Sequence, residues 1–359
     1  MDQFENAMGM LDLMIHSGFC VKDNKIIKVN PGAQRHLISE GMDVSSLLAT
    51  GKEEYAAFQG GCLYLTLSLG GSACGASVTR MDDFDVFILE QEADQQELQA
   101  MALAAQELRS PLTSIMTTAH QLFPLAASQN DPTTAEQIAR LNRGLFQMLR
   151  VISNMSDAGR YHTTQTLRAE TRELRAFFGE IFERAATLIS HAGLSLCFTN
   201  LDEPLLCLAD GEKLERAVLN ILSNAIKFAP KGGKIDARLS QRGNKLYISV
   251  QDNGQGIPEQ LRGSVHNRFL RQPGIEDSRF GIGLGMVLIR STAAAHGGTV
   301  LIDQPEGIGT RITMSMEIRQ DSTTTLRSPM LHVDYAGEQD HGLMELSETL
   351  PTSLYEWNP

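Results

Sequence analysis

Residues 214–230 read LERAVLNILSNAIKFAP, and this stretch indicates both the fold of its domain and the kind of ligand to expect. Asn220 and Asn224 are four residues apart on one face of an amphipathic helix, and Lys227 follows three residues later. Carboxamide oxygens can coordinate Mg²⁺, the Lys227 ammonium can contact phosphates, and Phe228 can lie against a flat base. Taken alone, the pattern is equally typical of two polar residues on a helix surface.

A second motif, QDNGQGIPEQ (251–260), follows the predicted strand LYISV. Asp252 leaves that strand into a turn, where its carboxylate can accept a hydrogen bond from an exocyclic amine. Gly254 and Gly256 allow a base to approach the backbone closely. Asp-Asn-Gly is also an ordinary turn sequence, so this motif is weak by itself.

The third motif, RFGIGLGMVLIRSTAAAHGG (279–298), runs three glycines directly into a predicted helix. Free N–H groups and the helix dipole at such a start favour an anion. The motif lacks the preceding βαβ strand and the acidic residue about 20 positions later that a dinucleotide-binding fold requires. The glycines are Gly281, Gly283 and Gly285.

In this order the three motifs resemble the N, G1 and G2 boxes of the GHKL ATP-binding fold. Between them, HNRFLRQPG (266–274) is similar to the F box and ATP lid, although His266 stands where many members have an aromatic residue. The resemblance implies ATP and Mg²⁺ as cofactors, with Asn224 and Asn220 as metal ligands. It also implies that Asp252 binds the adenine amino group. The implied nucleotide-binding residues are Asn220, Asn224, Lys227, Phe228, Asp252, Gly254, Gly256, Ile257, Arg271, Gly281, Gly283, Leu284 and Gly285.

Upstream, two predicted helices carry apolar residues at heptad spacing. The first set is Leu98, Met101, Ala105, Leu108, Leu112, Ile115, Ala119 and Leu122; the second is Ile138, Leu141, Leu145, Met148, Ile152 and Met155. The break ASQNDPTT separates them, with Thr133 or Thr134 expected to cap the second helix. An antiparallel hairpin cannot cover both seams alone, so we expect a homodimeric or heterodimeric four-helix bundle. The alternative is a monomer that packs the hairpin onto its own domains.

The first helix contains QELRSPL (106–112), which resembles the His-Glu-Leu-Arg-x-Pro-Leu box of sensor histidine kinases with Gln106 in the phosphoacceptor position. In that family a neutral imidazole attacks the γ-phosphoryl group while the adjacent acid, here Glu107, takes its proton. A carboxamide nitrogen cannot do this because its lone pair is delocalised into the carbonyl. Pro111 predicts a bend that opens the groove around Gln106.

Three interpretations stay open within a two-component histidine kinase scaffold that communicates with a response regulator receiver domain. In the first, the chain binds ATP and acts by conformation, by heterodimerisation or by phosphorylating a partner in trans. In the second, it is a phosphatase in which Gln106 and Ser110 orient a water molecule. In the third, another histidine of the chain accepts the phosphate. His120 is 14 residues further on at the same heptad position but is followed by Gln121 rather than an acid. From other classes, a non-signalling GHKL ATPase or a nucleotide-independent scaffold is the alternative.

The remaining sequence predicts a multidomain α+β protein. Residues 1–90 alternate strands and turns in a pattern similar to that of a PAS sensor domain, and residues 91–160 are predicted to form a linker helix and the hairpin. Residues 161–320 are predicted to form a GHKL α/β sandwich, and residues 321–359 an acidic tail. That tail has one arginine and seven acidic residues, and both a solvated tail and a docking segment are consistent with it.

The net charge and the cysteine content limit which partners and which cellular location we expect. The formal net charge of -12 argues against nucleic acid or an anionic membrane surface. The chain has five cysteines without C-x-x-C spacing, which predicts a reducing, cytoplasmic location. Its apolar runs are all too short to predict a membrane-spanning helix.

Overall fold

The computed structural model describes residues 16–81, 83–90, 92–127, 131–159, 167–256, 284–305, 308–320 and 339–356. In these residues three structural units follow one another along the chain: a small antiparallel sheet, two long helices and an α/β sandwich. A last segment, residues 339–356, packs back onto the preceding units and is called the docked segment below.

The first unit is an antiparallel sheet with two short helices. Its elements are β1 (Gly18–Lys22), β2 (Lys25–Val29), α1 (Pro31–Gln34), α2 (Lys52–Ala56), β3 (Cys62–Leu69), β4 (Ser72–Arg80) and β5 (Asp85–Leu89), with the strand order β2-β1-β5-β4-β3. Asp23 and Asn24 both adopt positive φ and form the tight turn between β1 and β2. Phe19 stacks on Phe87 at a centroid distance of 4.7 Å inside a core that is otherwise mostly aliphatic. The likeness to a PAS domain stays a prediction.

Two long helices, α3 (Glu92–Ala127) and α4 (Pro132–Ala158), pack along each other. α4 begins at Pro132, and its N-cap is Asp131, whose carboxylate accepts from the backbone N–H groups of Thr133 and Thr134. The expectation that one of these threonines caps the helix was therefore wrong: proline suits the first helical position, which places the cap one residue earlier. Within the described residues, no helix combines the length and the apolar character needed to cross a membrane.

The third unit combines helices with a mostly antiparallel sheet. It contains β6 (Glu170–Glu173), α5 (Leu174–His191), β7 (Ser195–Thr199), β8 (Leu206–Ala209), α6 (Gly211–Phe228), β9 (Lys234–Arg242), β10 (Lys245–Asp252), α7 (Leu284–Ala295), β11 (Val300–Asp303) and β12 (Arg311–Glu317). Side chains alternate between buried and exposed along β9 and between buried and half-buried along β10, because helices cover one face of the sheet. β8 is not part of this sheet, because it pairs with β6 in a separate two-stranded sheet.

The sheets of the first and third units join into one. β3 pairs antiparallel with β11, with Tyr64 opposite Val300 and Cys62 opposite Ile302, so ten of the described strands form a continuous sheet. The junction is reinforced by Glu54 on α2, whose carboxylate accepts from Lys245 Nζ at 2.6 and 2.7 Å. Each unit therefore covers the sheet edge that the other would leave open.

We predict that Gly61→Ala weakens this junction. Gly61 has φ +90°, and a Cβ there would run into the carbonyl oxygen of Ile302 on β11. A non-glycine residue in this conformation loses stability, so the free energy of unfolding should fall by about 2 kcal/mol in urea denaturation. Gly60→Ala is the control, because nothing lies within 4 Å of its Cβ and its φ is not positive. Equal stability of the two variants would contradict the strand pairing.

Candidate functional site

Helix α6 carries the candidate ligand-binding residues of the first motif. It begins after Asp210, whose carboxylate accepts from the backbone N–H of Lys213 at 3.2 Å. Apolar residues on one side of the helix, among them Val218 and Ile221, pack into the core against the sheet. The polar residues Asn220, Asn224 and Lys227 stand on other faces of the helix, so the helix presents them to its remaining neighbours.

These three polar residues have different environments. Asn220 is buried, and its Nδ2 donates to the backbone oxygen of Arg216 and to Glu345 Oε2 at 3.1 Å. Asn224 is half-buried, with its Nδ2 3.8 Å from the sulfur of Met286 on α7. Lys227 forms an ion pair with Glu348 of the docked segment. Burial lowers the pKa of the Lys227 ammonium, and the charge of Glu348 opposes this effect.

The end of β10 and the end of α6 meet at a compact corner. The Asp252 carboxylate is buried and accepts from the backbone N–H groups of Gly254 at 2.8 Å and Thr310 at 3.3 Å. Burial raises the pKa of this carboxyl, and the two backbone hydrogen bonds oppose the effect. A Cβ on Gly254 would run into the carbonyl oxygen of Phe228, so only glycine allows this close approach. The ring of Phe228 is exposed beside this corner.

The first turn of α7 lies against α6. A Cβ on Gly285 would stand 2.9 Å from Asn220 Oδ1, and Leu284 before it is buried. The structure thus brings the first and third sequence motifs together, with Asn220 and Asn224 beside the start of the helix. Gly256 adopts φ +73° after the corner. Four further candidates, Ile257, Arg271, Gly281 and Gly283, lie outside the described residues.

Arg150 on α4 also belongs to this site, and the sequence motifs did not indicate it. Its guanidinium is buried and donates to Asn220 Oδ1 at 3.3 Å and to Ser223 Oγ at 3.2 Å on α6. The hairpin helix therefore contacts the candidate ligand face of α6 directly. The heptad pattern gives no signal for this residue, because the charged residues Arg143 and Asp157 occupy the same heptad position on either side of it.

The docked segment supplies the acceptors for this arginine. Glu345 is 0% exposed, and its carboxylate accepts from Arg150 Nε at 3.2 Å and from Arg216 Nε at 3.1 Å. Glu348 pairs with Arg150 at 3.1 Å as well as with Lys227. Burial alone would raise the pKa of the Glu348 carboxyl, but the two positive charges outweigh it and lower the pKa. Of the two alternatives for the acidic tail, residues 339–356 follow the docking one.

The second set of candidates lies on the hairpin. Gln106, Glu107 and Ser110 are exposed on α3, which continues through Pro111 as one helix. Arg109 Nη2 lies 3.5 Å from Ser153 Oγ on α4 and links the two helices at this level. The side chains of the Gln106 region are thus open to solvent, unlike those around Asn220. The bend expected at Pro111 stays a prediction.

Residues 209–320 match the family described as histidine kinase-, DNA gyrase B-, and HSP90-like ATPase. The chain is 28% identical over 241 residues to sensor histidine kinase WalK of Bacillus subtilis (strain 168), covering 65% of this chain and 39% of WalK. It is 30% identical over 212 residues to sensor protein KdpD of Escherichia coli (strain K12), covering 58% of this chain and 23% of KdpD.

The chain is also 25% identical over 258 residues to the alginate biosynthesis sensor protein KinB of Pseudomonas aeruginosa, covering 71% of this chain and 42% of KinB. It spans less than half the length of each of these three relatives. Full-length ShkA in complex with AMPPNP shares the fold, with a TM-score of 0.50 and 20% identity over 62% of this chain and 46% of ShkA. The predicted GHKL ATPase domain is confirmed at 209–320, and a domain of this family implies ATP binding.

We predict that Glu345→Ala destabilises the protein strongly. The substitution removes a buried carboxylate that accepts from Arg150 and Arg216, so both guanidinium groups lose an acceptor in the interior. Breaking such a pair should reduce the free energy of unfolding by about 3 kcal/mol, measured by urea denaturation. Glu356→Ala is the control, because Glu356 lies on the same segment but is exposed. A loss below 0.5 kcal/mol for Glu345→Ala, on the scale of ordinary surface changes, would contradict the buried cluster.

Proposed function

We propose that this chain is a two-component signalling protein of the histidine kinase type that binds ATP with Mg²⁺ and communicates with a response regulator receiver domain, without phosphorylating itself at residue 106. The observation that carries the proposal is QELRSPL on an exposed helix, followed by a histidine kinase-type ATPase domain. The relatives named above, all sensor proteins, support the same reading.

The residues around the Asp252 corner fit an adenine nucleotide. A buried carboxylate that the backbone N–H groups of Gly254 and Thr310 hold in place can accept a hydrogen bond from the adenine amino group. Asn224 beside the start of α7 is suited to hold Mg²⁺, which when bound neutralises phosphate charge. Asn220 and Lys227 fit the same roles chemically, but both are engaged by the docked segment in this arrangement.

Gln106 defines what the hairpin can do. A carboxamide has no available lone pair on nitrogen, so the phosphoryl group cannot be transferred to this residue. Glu107 stays exposed beside it as a potential proton acceptor, and Ser110 lies one turn further on. Three activities fit this surface: phosphorylation of a partner's hairpin in trans, orientation of a water toward an aspartyl phosphate on a receiver domain, or purely conformational signalling. Transfer to His120 is the weaker alternative, because Gln121 follows it.

The exposed side of the hairpin supports a dimer. Every second heptad residue of α3 is buried within the chain, whereas three of the four residues between them are exposed: Leu108 at 49%, Ile115 at 52% and Leu122 at 55%. α4 adds Leu141 at 52% and Met148 at 46%. An apolar stripe at heptad spacing that the chain itself leaves uncovered is what a second hairpin covers in a four-helix bundle. A homodimer and a heterodimer with a related chain both fit.

We predict that Gln106→His gains a phosphoacceptor. Incubated with γ-labelled ATP and Mg²⁺, the variant should carry acid-labile label, because histidine restores the nucleophile beside Glu107. The parent chain should carry none. A third protein, Gln106→His with Asp252→Asn, controls for the nucleotide site and should be unlabelled.

Label on the parent that disappears with His120→Ala would overturn the assignment of Gln106 as the missing acceptor. If the Gln106→His variant is unlabelled and calorimetry detects no binding of Mg·ATP, the nucleotide-independent scaffold becomes the better account. Nucleotide hydrolysis without labelling of the variant would favour the non-signalling ATPase.

We predict that Ile115→Glu combined with Leu122→Glu produces a monomer. Both side chains belong to the exposed apolar stripe, and a carboxylate there cannot be buried in a bundle without a partner. Analytical ultracentrifugation should show a dimer for the parent. For the double variant, the dissociation constant of the dimer should rise by at least about tenfold per buried charge, since each charge costs more than about 1.4 kcal/mol. Gln121→Glu adds the same charge beside Leu122 on the exposed surface and should stay dimeric. A dimeric double variant would place the interface elsewhere.

A further inference from the structure

A polar cluster built from three parts of the chain lies on the face of α6 assigned above to phosphate and Mg²⁺. α4 contributes Arg150, α6 contributes Asn220 and Lys227, and the docked segment contributes Glu345 and Glu348. The docked segment thus presents two carboxylates to side chains that would otherwise face a polyanion. The site holds an acidic ligand that belongs to the chain itself.

The geometry around Glu345 is that of a bound anion. Its two oxygens receive hydrogen bonds from Arg150 Nε, Arg216 Nε and Asn220 Nδ2, at 3.1 to 3.2 Å. Charge-assisted bonds of this kind from guanidinium and amide donors are also what a phosphate oxygen receives. Because the carboxylate has no solvent exposure, no other anion can share these donors while the segment is docked.

Lys227 is the second point of competition. Its ammonium is paired with Glu348, and the same carboxylate lies 3.1 Å from Arg150. A lysine that neutralises Glu348 has less charge to offer to a triphosphate. Full contact of Lys227 with nucleotide phosphates therefore requires that Glu348 withdraw from the ammonium.

Apolar and backbone contacts fix the segment in this position. Met344, Leu346, Leu350 and Tyr355 are all buried, and the Tyr355 ring lies edge-on to Phe146 of α4 at 5.4 Å between centroids. Arg143 of α4 donates to the backbone oxygens of Ser347 and Glu348 at 2.9 and 3.1 Å. The acidic residues are held against α6 by a packed surface, and this surface also joins α4 to the ATPase domain.

We propose that the docked segment is an autoinhibitory element that occupies the phosphate and Mg²⁺ end of the nucleotide site. The inference rests on the proposed nucleotide function and adds its regulation. Docking and binding of Mg·ATP use Asn220 and Lys227 in mutually exclusive ways, so each weakens the other by the same factor. Undocking also removes the contacts of Glu345 and Glu348 with Arg150, which leaves Asn220 and Ser223 as the acceptors that hold this side chain to α6.

The test uses the full chain with a specific protease site placed between residues 322 and 330. Calorimetry with Mg²⁺ and a non-hydrolysable ATP analogue measures affinity before cleavage and after cleavage followed by gel filtration. If the docked state holds at least nine-tenths of the molecules, release should tighten binding by about tenfold or more. Adding a synthetic peptide of residues 337–359 should weaken binding again. The same peptide with Glu345→Gln and Glu348→Gln should have no effect.

A point variant tests the charge without removing the segment. Glu348→Gln keeps the shape but frees Lys227, so it should bind the analogue more tightly than the parent, whereas the exposed Glu356→Gln should bind like the parent. In the parent, the analogue should also speed amide hydrogen exchange over residues 343–350, as reciprocity requires.

The outcomes separate the two proposals. Equal affinity of the parent, the cleaved chain and Glu348→Gln would overturn autoinhibition while leaving ATP binding in place. Binding by none of these forms would overturn the nucleotide function and the autoinhibition with it. Weaker binding after cleavage would also overturn autoinhibition, since it would make the segment part of the binding site.

Discussion

The whole arrangement depends on one buried carboxylate, that of Glu345, between the guanidinium groups of Arg150 and Arg216. Two arginines on packed helices cannot be buried without acceptors, because desolvating an unpaired charge costs several kcal/mol. α4, α6 and the docked segment each contribute one member of this triad. Each of the three surfaces needs the other two to satisfy its buried charges, so their contact is cooperative. If the segment is removed, Asn220 and Ser223 on α6 are the acceptors that remain for Arg150.

Helix α7 connects this cluster to the other end of the molecule. Its first turn lies against Asn220 through Gly285, and Arg290 further along stands over the Tyr64 ring at 5.0 Å and 3.5 Å from Glu90. Tyr64 belongs to β3, the strand that pairs with β11, and Glu90 lies just before α3. One helix therefore touches the N-terminal sheet, the entry to α3 and the face of α6 that carries Asn220. A displacement of α7 has to alter all three contacts together, which is the physical requirement for coupling between them.

The sequence predicted the parts that local patterns control. The predicted strand LYISV is part of β10, and the amphipathic helix predicted for LERAVLNILSNAIKFAP is α6. It did not predict the pairing of β3 with β11, because unpaired backbone groups on a sheet edge accept any partner strand and leave no side-chain pattern. Nor did it show which acids of the tail are buried. Glu345 and Glu356 look alike in the sequence, and only the position of Arg150 and Arg216, some 130 to 200 residues earlier in the chain, distinguishes them.

Gln106 and the docked segment limit the proposed function in different ways. The carboxamide removes a chemical step permanently, because no conformational change gives it a nucleophilic lone pair. The ion pairs of Glu345 and Glu348 oppose nucleotide only by occupancy, and an occupant held by charge and packing can be displaced by a ligand that binds the same donors more tightly. The carboxamide at residue 106 excludes transfer of phosphate to the chain's own hairpin, and the ion pairs can be displaced. In the proposed function, nucleotide binding is therefore the event that can change the contacts between α4 and α6. Under the proposed function, the exposed residues Glu107 and Ser110 would act on a partner, since residue 106 beside them is not a phosphoacceptor.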